Sequence, residues 1–172
     1  MNTSTQETGK FALKYGLLLG AISIVFGLLL YTQELHYQQD WKIGIINMVV
    51  LITIIVLGMI QFKKSNDGFM SFVQALKIGV GISLIGGILV IIYGQVLQQF
   101  IDPDMLAKAT QYSKQLMIKQ GKDAKEIKLA LEMGKKFQAP WIQIAIGLIG
   151  SLFLGFIVSL IAGLIIKKEQ PV

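Results

Sequence analysis

The stretch WIQIAIGLIGSLFLGFIVSLIAGLII, residues 141–166, decides the fold class: 26 residues without a charge or a proline. A helix rises about 1.5 Å per residue, so roughly 20 residues cross a hydrocarbon core about 30 Å thick. Trp141–Ile166 is therefore long enough to span a bilayer with some tilt. Working outward, three more apolar runs fit the same measure: Tyr15–Tyr31, Ile43–Phe62 and Ile78–Leu97. None contains proline, so none is obliged to kink on that account. The 172-residue chain is 53% hydrophobic and only 15% charged, against about 25% charged in soluble domains. That balance excludes a soluble enzyme and a nucleic-acid-binding domain, and the lack of cysteine excludes a disulfide-stapled module. The expected fold is all-α: a single membrane domain over residues 1–172, built as a bundle of four transmembrane helices.

Lys10 and Lys14 precede the first run as they would in a signal peptide. That run ends Leu30-Tyr31-Thr32-Gln33 without a small-residue cleavage site, so it reads as a retained span. Four spans put both termini on one side. All sixteen basic residues are lysine; seven fall on the terminal side and nine on the other. Because early spans dominate orientation, Lys10, Lys14, Lys63 and Lys64 against a lone Lys42 favour cytoplasmic termini. Tyr31, Trp41, Tyr93 and Trp141 fall at the opposite face, where amphipathic rings anchor a protein at headgroup depth.

In lipid, helices approach closely where residues are small. The fourth span carries Gly147, Ser151, Gly155, Ser159 and Gly163 at every fourth position, on one helical face. The third answers with Gly79, Ser83 and Gly87, and the first has Gly16 and Gly20. The second has glycine only near its ends, at Gly44 and Gly58, so spans one, three and four are expected to form the tight core and span two to be the most lipid-exposed. Asp, Glu, Arg and His are absent from all four spans, which removes the usual mark of ion-coupled transport. Lys77 stands at the rim, where its chain can snorkel, and Asn47 and Gln143 are placed for hydrogen bonds between helices. The segment before span three, with Phe69, Phe72 and Val73 at helical spacing, predicts a surface helix starting near Phe69.

Residues 102–139 make the sizeable connection. Asp102-Pro103-Asp104 predicts a helix start with Asp102 as N-cap. Met105, Ala109, Tyr112 and Leu116 then form one apolar stripe. Gly121 suits a left-handed helix end, Asp123 and Glu126 have capping-box spacing, and Ile127, Ala130, Leu131, Gly134 and Phe137 form a second stripe. The expectation is an extramembrane amphipathic helical hairpin, with Met105, Tyr112 and Leu116 as the face offered to a partner. The lone histidine, His36, is read as a solvated loop residue.

This pattern resembles an uncharacterised group of small bacterial four-span membrane proteins, domain of unknown function 4199. The likeness lies in Lys14-Tyr15-Gly16, Phe69-x-x-Phe72-x-x-Ala75, Tyr93, Ile101-Asp102-Pro103-Asp104 and Glu132-Met133-Gly134-Lys135-Lys136-Phe137. It implies an integral inner-membrane protein and supplies no activity, ligand or catalytic residue.

Residue by residue, no Ser-His-Asp set, metal-ligand cluster or phosphate loop is present, so neither enzyme nor cofactor is expected. Two function classes remain. One is a non-enzymatic accessory presenting its hairpin to lipid, to another membrane protein or to a second copy. The other is a small oligomeric channel or transporter lined by Ser, Thr, Asn and Gln.

Overall fold

A computed structural model describes residues 3–38 and 40–169. It is all-helical: α1 (Thr3–Thr32), α2 (Trp41–Ser65), α3 (Phe72–Val96) continued by a π-helical turn (Leu97–Ile101), α4 (Met105–Lys119), α5 (Ala124–Lys136) and α6 (Pro140–Ile166). No strand occurs among the described residues; one isolated antiparallel bridge joins Met70 to Lys168. Four helical stretches are long and apolar enough to cross a membrane: Glu7–Thr32, Trp41–Ser65, Phe72–Ile101 and Pro140–Ile166. Each contains the corresponding run read from sequence and extends it, because helix continues past the apolar stretch until a cap or turn stops it.

α3 is the centre of the arrangement. It packs along α1 on one side and α6 on the other, and α2 leans across all three. The α3–α6 seam is the small-residue face expected from sequence. A Cβ added at Gly79 would meet Ser159, one at Gly155 would meet Ser83, and one at Gly87 would lie 2.6 Å from the Ser151 hydroxyl. At the seam's two ends, Gly163 faces Ala75 and Gly147 faces Ile91. The serine hydroxyls turn back on their own helices, Ser83 to the Gly79 carbonyl at 2.8 Å and Ser159 to that of Gly155. Their polar atoms are thus satisfied while the helices touch through Cβ. α1 meets α3 in the same manner, with Gly16 under Ile85 and Gly81 against Ala12.

The expectation for span two holds for its first half and fails for its second. The largest fully buried side chains include Phe62, Ile55 and Met59 of α2, which join Tyr15, Leu19, Ile78, Ile82 and Ala162 in one core. The main seams are nevertheless α1–α3 and α3–α6, and α2 has the lightest contacts with the other spans. Glycine spacing finds helices that touch backbone to backbone; α2 instead packs through large side chains, and those look like lipid-facing ones in sequence. The buried residues of α2 all lie from Ile54 onward. From its first half, Val50 and Leu51 are partly buried and pack against the core.

Each end of the helix set is closed by its own contacts. At the end carrying the C-terminal residues, Lys63 Nζ donates to the Ile166 carbonyl at 2.6 Å, where a cation complements the exposed carbonyls of α6. There too, Met70 and Lys168 exchange backbone hydrogen bonds of 2.8 and 2.9 Å. This bridge occupies the segment expected to be helical from Phe69. The helix starts three residues later, because Ser71 and Gln74 form a capping box. Phe69 instead lies under the Lys168 ammonium, 5.3 Å from its ring centroid.

Candidate functional site

At the opposite end, three side chains from separate segments converge. The α1–α2 loop supplies His36, the residue after the π-helical turn is Asp102, and α4 supplies Lys108. Asp102 is held in position by its own backbone: its N–H donates to Leu97 at 2.7 Å, and its carbonyl accepts from Met105 at 3.0 Å. Its carboxylate accepts two hydrogen bonds from Lys108 Nζ, at 2.8 and 3.0 Å, and one from His36 Nε2 at 2.8 Å. An ionised carboxylate only accepts, so Nε2 carries the proton. The His36 and Asp102 side chains are 5% and 8% exposed, whereas Lys108 is 46% exposed. The Lys108 ammonium therefore keeps water on one side and charge compensation on the other.

The electrostatics follow from that geometry. The Lys108 hydrogen bonds, with a smaller contribution from His36, hold the Asp102 carboxyl below the usual carboxylate range, although burial pulls the other way. Reciprocally, bonding to Asp102 raises Lys108. Around this ion pair the rings of Tyr31 and His36 meet edge to face at 5.1 Å, His36 and Tyr37 at 5.2 Å, and Tyr37 and Tyr112 at 6.4 Å. The result ties α1, its following loop, the end of α3 and α4 into one unit. His36 Nδ1 is buried without a hydrogen-bond partner.

Two sequence expectations are corrected here. His36 is not a solvated loop residue, and Asp102 does not cap α4. The Asp-Pro-Asp signal is local, and the tertiary pairing with Lys108 and His36 outcompetes it; the N-cap position falls to Asp104, whose side chain makes no capping bond.

α4 and α5 are joined by a turn in which Gly121 has φ +75°, a conformation that favours glycine. Asp123 caps α5 by accepting from the Glu126 N–H at 2.7 Å. Where the two helices return to the spans, Gln138 donates to Thr110 Oγ1 at 3.1 Å. A cleft of about 490 Å³ lies there, lined by Met105, Ala109, Ala130 and Leu131 among others. Of the expected partner face, Met105 thus faces this cleft, Tyr112 packs on Tyr37, and Leu116 is half-buried. Ile127 is buried. The large apolar groups left outward are Ile118 of α4, 56% exposed, Leu129 and Met133 of α5, 59% and 53%, and Phe137 at the α5 C-cap, 54%, followed by Trp141 at 72%. Leu129, Met133 and Phe137 recur at every fourth position along α5 and its C-cap, whereas Trp141 lies on α6, beyond the turn at 137–139. The spacing was present in the sequence, but Leu129 and Met133 were not picked out by it.

The expected interface anchors divide. Trp41 and Trp141 are 70% and 72% exposed. Tyr31 packs on His36. Tyr93 departs from the expected belt: its ring lies against Gly27, and its hydroxyl is buried with no hydrogen-bond partner. Gln143 accepts from Gln95 of α3 at 3.4 Å and donates to the Gln138 carbonyl at 2.8 Å, bridging helices as its position implied. Among the described residues no group of three or more His, Cys, Asp or Glu side chains is placed to hold a metal ion.

Helices of this length and apolarity, capped at one end by a short helical pair, define a small multi-span helical protein. Residues 14–168 match the family model described as Protein of unknown function (DUF4199), and the chain belongs to that family. No curated protein and no solved structure was found to match it.

Proposed function

We propose that the chain is a non-enzymatic multi-pass accessory protein of a bacterial inner membrane. In this reading both termini are cytoplasmic, and α4–α5 forms an extracytoplasmic hairpin that docks on the membrane surface. The observation that carries it is the row Leu129, Met133, Phe137 and Trp141. All four are exposed, three at the end of α5 and the fourth, a tryptophan, at the start of the span that follows it. Lys125, Lys128, Lys135 and Lys136 flank the row, so the same helix offers apolar groups for the acyl boundary and cations for anionic headgroups. The Asp102 clamp fixes the root of this element and leaves its outer face free.

A His–Asp pair with an unengaged ring nitrogen has the outline of a catalytic base. Here Nδ1 is buried, and among the described residues the rings that pack on His36 are those of Tyr31 and Tyr37. Support for a channel is weaker. Thr53 is exposed on the outside of α2, Gln95 donates to Gln143 and accepts from Gln99, Gln143 donates to the Gln138 carbonyl, and Ser83 and Ser159 bond to their own helices.

The test is a depth measurement on the full chain in vesicles of phosphatidylethanolamine and phosphatidylglycerol. A nitroxide at Met133→Cys should be shielded from a water-soluble relaxant and reached by oxygen. One at Lys122→Cys, beside the turn, should show the reverse. A water-exposed Met133 site would overturn the surface-docking reading.

A further inference from the structure

The α3–α6 seam advances in steps of four residues on both helices. It runs from Ala75 on Gly163, through Gly79 on Ser159, Ser83 on Gly155 and Gly87 on Ser151, to Ile91 on Gly147. The next step sets Gln95 on Gln143, which share a hydrogen bond of 3.4 Å. Each step before the glutamines pairs one glycine with one residue that has a Cβ. The glycine comes from α6 and α3 in strict turn along the whole seam.

Space explains the pattern. A Cβ built on Gly79 would lie 2.8 Å from that of Ser159, and one on Gly87 would lie 2.7 Å from that of Ser151. Non-bonded carbons rest about 3.5–4 Å apart, so each step has room for one Cβ and not for two. Sliding α6 by one step, about 6 Å, would set Ser83 on Ser151 or on Ser159, with glycine on glycine at the steps beside it. One step would be overfilled and its neighbours left hollow, and both faults cost stability. α1 meets α3 by the same rule, with Ala12 on Gly81, Ile85 on Gly16 and Leu89 on Gly20, again four residues apart. The polar contacts at the two ends of α6, Gln143 with Gln95 and Lys168 with Met70, are made in this same register.

We infer that the alternation is an interlock that fixes α6 on α3 in one axial register, so that α6 does not work as a piston between the two ends of the molecule. α1, α3 and α6 then move as one body, and relative motion is left to α2 and to the α4–α5 pair. A seam of glycine alone would lack this property, since it could slide without overfilling any step. The interlock is independent of the hairpin reading.

The experiment moves the pattern and reads the register. Nitroxides at Val73→Cys of α3 and Ile149→Cys of α6, 57% and 68% exposed, are placed in the full chain in vesicles of phosphatidylethanolamine and phosphatidylglycerol. Their separation is measured by double electron–electron resonance. With Ser151 on Gly87, position 149 is level with position 89, so the axial separation from 73 is about 24 Å. Gly79→Ser, Ser83→Gly and Gly87→Ser together invert the α3 pattern, which then matches these α6 glycines and serines one step away. The expected result is a shift to about 18 or about 30 Å. Gly79→Ser alone should lower the thermal unfolding midpoint by about 5 °C. Adding Ser159→Gly returns that step to a single Cβ and should restore most of the loss. An inverted variant that folds and keeps the native distance would overturn the inference. So would an exchange at 79 and 159 no more stable than Gly79→Ser alone, the result that decides if the inverted variant does not fold.

Discussion

Replacing Asp102 with asparagine tests the clamp that roots the hairpin. The side chain keeps its shape and loses its charge. In the native protein it accepts three hydrogen bonds, two from Lys108 and one from His36, while only 8% exposed. A hydrogen bond to a charged group contributes about 1.5–3 kcal/mol, and stripping one partner from a fully buried pair costs about 3–5 kcal/mol. The upper figure does not apply, because Lys108 is 46% exposed and regains water when released. The asparagine carbonyl also still accepts one bond. The expected loss is therefore about 2 kcal/mol, read as a lowered unfolding midpoint of the purified chain in detergent. Proteolysis should open first between Gln98 and Pro140, while the span fragments stay intact. The pH dependence gives a second reading of the same group. A carboxyl held below its ordinary range in the folded protein contributes stability that is complete above that range and lost as pH falls through the lowered value. Wild type should exceed Asp102→Asn at neutral pH and converge on it in acid. Equal stability at neutral pH, or a gap that persists unchanged into acid, would refute the argument.

Other consequences follow from the packing. Gly79→Ala drives a methyl into Ser159 and should cost about 1–3 kcal/mol of stability, seen in the same unfolding assay. Gly150→Ala meets open space and should be neutral or stabilising by under about 1 kcal/mol through helix propensity. Lys63→Met removes the cation from the α6 carbonyl end and should cost about 0.5–1 kcal/mol, with faster amide exchange over the last turn of α6.

Local and periodic signals carried much of this fold into the sequence. Charge-free length marked the four spans, Gly121 and Asp123 marked the turn between α4 and α5, and fourfold spacing marked the α3–α6 seam. What escaped has two physical origins. Lipid is as apolar as a protein core, so Ile55, Met59 and Phe62 of α2 carry no label separating them from Ile45 or Val49, which face outward. Long-range pairing is equally silent: His36 and Asp102 are 66 residues apart, and the aspartate sits in a motif with its own local meaning. The start of α3 is a different case, since Ser71-x-x-Gln74 is a capping-box signature that sequence offered and the apolar spacing from Phe69 obscured.

Crossing the membrane four times, with α4 and α5 on the side away from the termini, is the claim on which the rest depends. The chain contains no cysteine, so single cysteines report without background. Lys122→Cys and Lys167→Cys, expressed separately in bacteria, are treated with a membrane-impermeant maleimide once the outer membrane is permeabilised. Labelling of Cys at 122 in intact spheroplasts, and of Cys at 167 only after the inner membrane is broken, is the expected result. Labelling of both positions from the same side would contradict the account.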